Sequence, residues 1–296
     1  MNSQLYIKDL NKTYCHKKNT SHALKEINLT IPKHRIVGLI GPNGAGKTTL
    51  LKTIAGQLFP THGKISYTIG EESIYKSSYQ VCLVQEYEPL FTLHRIKTIL
   101  EIARYHYPNW DDSYAERLIS IFQLDLSKKY TQLSKGQRGL VGIIIALASQ
   151  APITIFDETH ISLDVIMRQC FFDLLLEAYT ESQRTFILST HYLNEVSNLF
   201  EDIIIMDQGQ ILLHEEKNAL DDMTWTIIGD HEIGYSLLDK SHILNTKTLG
   251  KTTEFHYFGL INTTLKSALK NYNFNISRSS LETFFLNIIQ KEIYND

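Results

Sequence analysis

The chain has 296 residues, a formal net charge of -3, 43% hydrophobic residues and 21% charged residues. That length allows one large domain or a medium domain with an addition, because single cores stop growing at about 250 to 300 residues. The charge offers no basic field for phosphate backbones, which argues against nucleic acid as a partner, and the composition argues against extended disorder.

The opening residues, MNSQLYIKDL, lack the basic head and apolar run of a secretory signal, since Lys8 and Asp9 interrupt them. Cys15, Cys82 and Cys170 lie far apart and suit a reducing compartment better than a disulfide framework or a zinc site. Residues 5–40 alternate as strands do and end on Ile36-Val37-Gly38-Leu39-Ile40, a short apolar run expected to be a buried strand. Gly41, Pro42, Asn43, Gly44, Ala45, Gly46, Lys47 and Thr48 follow, then Thr49 and a predicted helix. This matches G-x-x-x-x-G-K-[ST] in the strand and helix context that the motif requires. Glycines there let backbone N–H groups turn around phosphate oxygens, and the helix start adds its positive end. Lys47 is expected on the β and γ phosphates and Thr48 on Mg2+. A plain glycine turn capping a helix is the blander explanation.

Residues 92–149 read as a mostly helical insertion, with apolar spacing at Ile96, Ile99, Leu100 and Ala103 and again at Leu118, Ile119 and Phe122. Gly139 to Phe156 carries no charge over a length that meets the bare criterion for a membrane span. Pro152, with Ser149 and Gln150, divides it, so a buried helix followed by a buried strand is expected and the chain is not expected to span a membrane. That strand, Ile153-Thr154-Ile155-Phe156, delivers Asp157 and Glu158 at its carboxyl end, where ligands sit in open α/β sheets. Asp157 fits a Mg2+ partner and Glu158 a general base acting on water. Alone the pair would more often be a solvated strand end; the preceding phosphate loop favours chemistry.

Further strand-like runs at Thr185 to Ser189 and Ile203 to Met206 keep the beat of an α/β core that closes near residue 216. Beyond it come candidate strands at Trp225 to Gly229 and Glu254 to Phe258. A last helix follows, begun by a capping box of Ser279 with Glu282 and carrying Leu281, Phe284, Phe285, Ile288 and Ile289 on one face.

Leu133-Ser134-Lys135-Gly136-Gln137, opening a long apolar helix, resembles the LSGGQ signature of the ABC ATPases, with Lys135 in place of the first glycine. The resemblance covers residues 5 to about 215. It implies an α/β P-loop ABC cassette over 1–216, with a mostly parallel core sheet, an antiparallel N-terminal β part and a helical subdomain at about 92–149. Residues 217–296 are then a small C-terminal α+β extension.

The resemblance also implies ATP and Mg2+ as ligands, and a second ATPase subunit whose signature closes on the γ-phosphate. Ser134, Gly136 and Gln137 match that signature, at a helix start suited to anions. Gln85 resembles the glutamine that senses Mg2+ and water and couples to a permease. His191 resembles the switch histidine that contacts γ-phosphate and steadies the catalytic glutamate, and Tyr14 the aromatic that stacks on adenine. Taken singly, these three would be a surface loop residue, a polar capping residue and a core tyrosine.

The family pattern after the glutamate, Pro-Thr-x-Gly-Leu-Asp, reads here Thr159-His160-Ile161-Ser162-Leu163-Asp164, so only Leu163 and Asp164 are kept. Asp164 is expected in cross-talk between subunits. The signature and a C-terminal segment with Ser-Leu-Glu-x-x-Phe resemble subunits of bacterial exporters of drugs, lantibiotics and lipid-active peptides, and most nearly exporters of amphipathic toxins of the phenol-soluble modulin type. This implies a cytoplasmic subunit held at the membrane by a separate permease. A soluble ABC ATPase acting in translation or repair is the alternative; a P-loop kinase or GTPase has no counterpart for the signature.

Overall fold

The computed structural model describes residues 5–16, 19–67, 78–85, 88, 91–182, 184–190 and 192–295. In chain order, β1 (Leu5–His16), β2 (Asn19–Ile31) and β3 (Ile36–Ile40) lead into helix α1 (Lys47–Ile54), β4 (His62–Tyr67) and β5 (Val81–Gln85). Three helices follow, α2 (Ile96–His106), α3 (Asp112–Phe122) and α4 (Lys135–Ala148), then β6 (Ile153–Asp157), α5 (Val165–Glu181) and β7 (Thr185–Ser189). A one-turn α6 (Leu193–Val196) precedes β8 (Asp202–Asp207) and β9 (Gln210–Glu216). The remainder is α7 (Lys217–Met223), β10 (Thr224–Asp230), α8 (His231–Leu237), β11 (Ile243–Leu249), β12 (Thr252–Phe258), α9 (Thr263–Asn271), β13 (Asn275–Arg278) and α10 (Leu281–Asn295).

The chain divides into two units, one of residues 1–192 and 199–214 and the other of 193–198 and 215–296. The second unit thus takes a short piece from inside the stretch read from the sequence as a single 1–216 block. That piece begins two residues after His191.

In the first unit, β1 pairs antiparallel with both β2 and β4 in a three-stranded sheet of order β2-β1-β4. A second sheet has the order β5-β6-β7-β3-β8-β9, and the four pairings from β5 to β8 are parallel. Strands β3, β6 and β7 are buried at every residue, as expected of parallel strands covered on both faces. Leu50, Leu51 and Ile54 of α1 share one core with Leu5, Leu10, Leu24 and Ile27 of the first sheet and Val37, Leu39, Ile155 and Ile187 of the second. The register aligns Gln85 with Asp157, and Asp157 with Ser189, so β5, β6 and β7 end side by side.

The uncharged stretch 139–156 resolves into the buried helix α4 and the buried strand β6. Among the described residues no helix is long and apolar enough to cross a membrane. The apolar positions at 96, 99, 100 and 103 are the buried face of α2, as their spacing predicts.

The second unit holds a four-stranded sheet of order β11-β12-β10-β13, antiparallel at each of its three pairings. Its core gathers Trp225, Ile227, Phe255, Tyr257, Leu269 and Phe274. The capping of α10 differs from the sequence expectation. Ser280 Oγ accepts from Thr283 N at 3.1 Å, whereas Ser279 continues the sheet, its N–H donating to Thr224 O and its Oγ lying 2.8 Å from Thr226 Oγ1.

Candidate active site

The glycine-rich turn leaves the central strand β3 and enters α1 directly. Its last glycine, Gly46, caps the helix with φ 101°, a left-handed conformation that L side chains rarely adopt. A Cβ at Gly46 would also sit 2.5 Å from Ala23 O, so both the turn and its packing on β2 require glycine. Lys47 is buried, with Nζ donating to Gly41 O at 2.7 Å and Pro42 O at 3.0 Å. Burial pushes its ammonium below the ordinary lysine range, and the negative charges of Glu158 and Asp157 oppose that shift.

Thr48 Oγ1 and Gln85 Nε2 each donate to Asp157 Oδ2 at 2.9 Å. The other carboxylate oxygen, Oδ1, is buried without a hydrogen-bond partner among the described residues. A hydroxyl, a carboxylate with an unused oxygen and an amide oxygen form a hard, sparse donor set that fits Mg2+, which keeps most of its waters when bound. Glu158 follows with φ 57°, and its N–H donates to Ser189 O at 3.2 Å. A left-handed non-glycine costs of order 1–3 kcal/mol and persists where its surroundings fix it.

Asn43, Gly44, Gly46, Lys47, Thr48, Thr49 and Glu158 line one cavity of about 400 Å3. Its remaining wall comes from Ser21, His22, Ala23 and Lys25 of β2 and from Gln208 and Gly209. Backbone bonds hold that wall, Gly209 N to Ala45 O at 3.0 Å and Lys25 N to Gly209 O at 2.8 Å. The sequence reading missed these residues. Only the Asp207-Gln208-Gly209 turn between two apolar runs carried a local signal, because the β2 residues act through backbone and position.

The signature residues stand elsewhere. Ser134 is the exposed N-cap of α4, its Oγ accepting from Gln137 N at 3.2 Å while Gln137 Oε1 accepts from Ser134 N at 3.2 Å. This satisfies two N–H groups that the helix leaves unpaired. Gly136 packs so closely on the turn after Glu158 that a Cβ would lie 2.9 Å from Ser162 O. Asp164 caps α5 through Met167 N at 2.9 Å, and the next two residues, Val165 and Ile166, are each 75% exposed. Ser134, Gly136, Gln137 and Asp164 do not line the phosphate-loop cavity of their own chain.

Tyr14 is half-buried beneath Lys12, whose Nζ is 5.2 Å from the ring centroid, and it pairs across the sheet with Ser21. Ser21 reaches the cavity wall; Tyr14 does not line it. His191 lies outside the described residues, between Thr190 and Tyr192, which are described. A separate, mostly apolar cavity of about 290 Å3 opens beside Gln85, walled by Leu83, Phe91, Ile102, Tyr130 and Ile145.

Residues 24–160 match the model of the ABC transporter family. The matched region has the fold of an ABC-type ATP-binding cassette. The cassette is 26% identical over 192 residues to the ABC transporter ATP-binding protein YtrB of Bacillus subtilis (strain 168), covering 64% of this chain and 66% of that one. It is 33% identical over 196 residues to the sulfate/thiosulfate import ATP-binding protein CysA of Synechocystis sp., covering 64% and 55%. The chain therefore spans less than two thirds of the length of either curated relative. Among solved structures the cassette resembles a dimeric ATP-binding cassette in a post-hydrolysis state bound to ADP and Pi, with TM-score 0.63, 26% identity, and 72% of this chain and 98% of that one covered.

Proposed function

We propose that the chain binds and hydrolyses ATP as half of a paired ATPase that drives a separate transmembrane permease. The observation that carries this reading is the meeting of Lys47, Thr48, Gln85, Asp157 and Glu158 at the carboxyl ends of neighbouring strands. The backbone N–H groups of the loop and α1 hold the phosphates, and Lys47 offsets the charge on the β and γ oxygens. Thr48, Asp157 and Gln85 would hold Mg2+, which neutralises charge on the same oxygens when bound. Glu158 takes a proton from the attacking water, and His191 steadies it.

Two chains make two complete sites. The signature residues Ser134, Gly136 and Gln137 and the cap Asp164 stand apart from their own chain's cavity, and Val165 with Ile166 is an exposed apolar pair suited to a second copy or a close relative. The similar dimeric cassette bound to ADP and Pi supports the same arrangement. The permease docks in the apolar cavity beside Gln85, so that a residue on Asp157 also borders the partner. On this reading the chain works at the cytoplasmic face of the membrane.

The direction is export of amphipathic peptides, toxins or antimicrobial compounds. The support is the resemblance in Lys135 of the signature and in the C-terminal Ser-Leu-Glu-x-x-Phe segment, since curated relatives include importers. Residues 217–296 are then an accessory extension of the cassette.

Mixing Lys47→Ala with Ser134→Arg, each inactive alone, tests the half-site arrangement. The mixture regains part of the ATPase activity, because one heterodimer site keeps both intact halves; silence from a mixture shown to be dimeric speaks against it. Copurification from native membranes identifies the permease, and transport assays on that complex decide the cargo.

A further inference from the structure

His160 is fully buried, its ring stacked on Phe171 (centroids 6.3 Å, planes 16° apart) and packed against Phe172 at 5.7 Å. Its Nε2 lies 3.0 Å from Thr190 Oγ1. That hydroxyl also accepts from Tyr192 N at 3.0 Å, so it braces the backbone on the far side of His191 as well. Two residues before His160, the N–H of Glu158 donates to Ser189 O at 3.2 Å. The segments leaving β6 and β7 are therefore fastened twice, once by backbone between Glu158 and Ser189 and once by side chains between His160 and Thr190. The turn between is closed by Ile161 N on Glu158 O and Leu163 N on His160 O, each at 3.2 Å.

This chain departs from the family pattern at Thr159 and His160. We propose that His160 is a positioning residue for ATP hydrolysis: through Thr190 it sets the Glu158 segment against the segment that carries His191. The inference rests on the reading of Glu158 as the general base. Phe171 and Phe172 hold the ring, the ring holds Thr190, and the strained backbone of Glu158 is thereby anchored at its own N–H and again two residues on at His160. A base and its orienting group act only within hydrogen-bond geometry, so a slackened tie lowers turnover without weakening nucleotide binding.

The test is steady-state ATPase on the full chain, with ATP-analogue binding and melting temperature measured on the same samples. His160→Phe keeps the aromatic packing and removes the bond to Thr190. It lowers kcat about tenfold, with KM, analogue affinity and melting temperature close to wild type. His160→Gln, whose amide reaches as far as the imidazole Nε2, restores kcat to within about threefold of wild type. Thr190→Val lowers kcat by a similar factor, and the double variant with His160→Phe is no worse than either single one.

Wild-type kcat in His160→Phe, no rescue by Gln, or additive losses in the double variant would each overturn the proposal. So would a loss that follows melting temperature alone. Glu158→Gln is the control for the parent reading. Should it turn over ATP like wild type, the general-base assignment fails whatever the His160 variants do; should it be inactive while His160→Phe is normal, only the tie is refuted.

Discussion

Gln85 and Asp157 stand opposite each other at the ends of β5 and β6, and Gln85 Nε2 donates to Asp157 Oδ2 at 2.9 Å. The bond orients a carboxylate whose other oxygen has no hydrogen-bond partner among the described residues. Removing the amide in Gln85→Ala leaves Asp157 freer to turn. A typical hydrogen bond to a charged group contributes about 1.5–3 kcal/mol. The Mg2+ concentration for half-maximal ATPase rises about tenfold, in a titration at saturating ATP. An unchanged midpoint would separate Gln85 from the metal.

Gly46 carries two demands at once, a φ of 101° and the approach of Ala23 O. Gly46→Ala therefore shifts the loop or β2 and costs of order 1–3 kcal/mol. Analogue affinity falls at least tenfold, read by fluorescence titration. Gly44→Ala is the comparison, since a Cβ there meets nothing within 4 Å although φ is 84°; it carries the strain without the clash and loses less affinity.

The second unit has a pH response of its own. His256 of β12 is buried, and burial holds its imidazole below the ordinary value of 6.5; Glu254, 3.1 Å from Nε2, opposes that shift and Lys247 adds to it. The folded state thus stays neutral where the unfolded chain already takes up a proton. Stability from this group is complete above the unfolded value and declines as pH falls through it toward the folded one. In melts from pH 7.5 to 5.5, followed by tryptophan fluorescence, His256→Gln loses less stability than wild type. An equal or steeper decline in the variant contradicts this origin.

How much was legible follows from which signals are local. The phosphate loop, the DE pair and the capped helix α4 could be read because each is a contiguous run with its own chemistry. The cavity wall at Ser21 to Lys25 could not, because it is built by β2 folding back onto the loop through backbone contacts. In the second unit β10 and β12 were visible as candidate strands, while β13 is Asn275–Arg278, mostly exposed and without alternation. Its pairing with β10 carries Ser279 into the sheet, which moves the cap of α10 to Ser280. His160 was visible only as a break in a pattern; its role needed the nonlocal approach of Thr190.

Glu158 is proposed as the base in a site that also binds ATP. Glu158→Gln keeps the side-chain shape and a hydrogen-bonding oxygen but cannot accept the proton from water. The decisive measurement is the hydrolysis rate of this variant together with its ATP-Mg2+ affinity and its mass by light scattering, with the permease in detergent if the isolated chain associates too weakly. With Glu158 as the base, the rate falls about 10²- to 10⁴-fold, ATP binding stays intact and an ATP-bound dimer accumulates. Hydrolysis at the wild-type rate contradicts a base at Glu158.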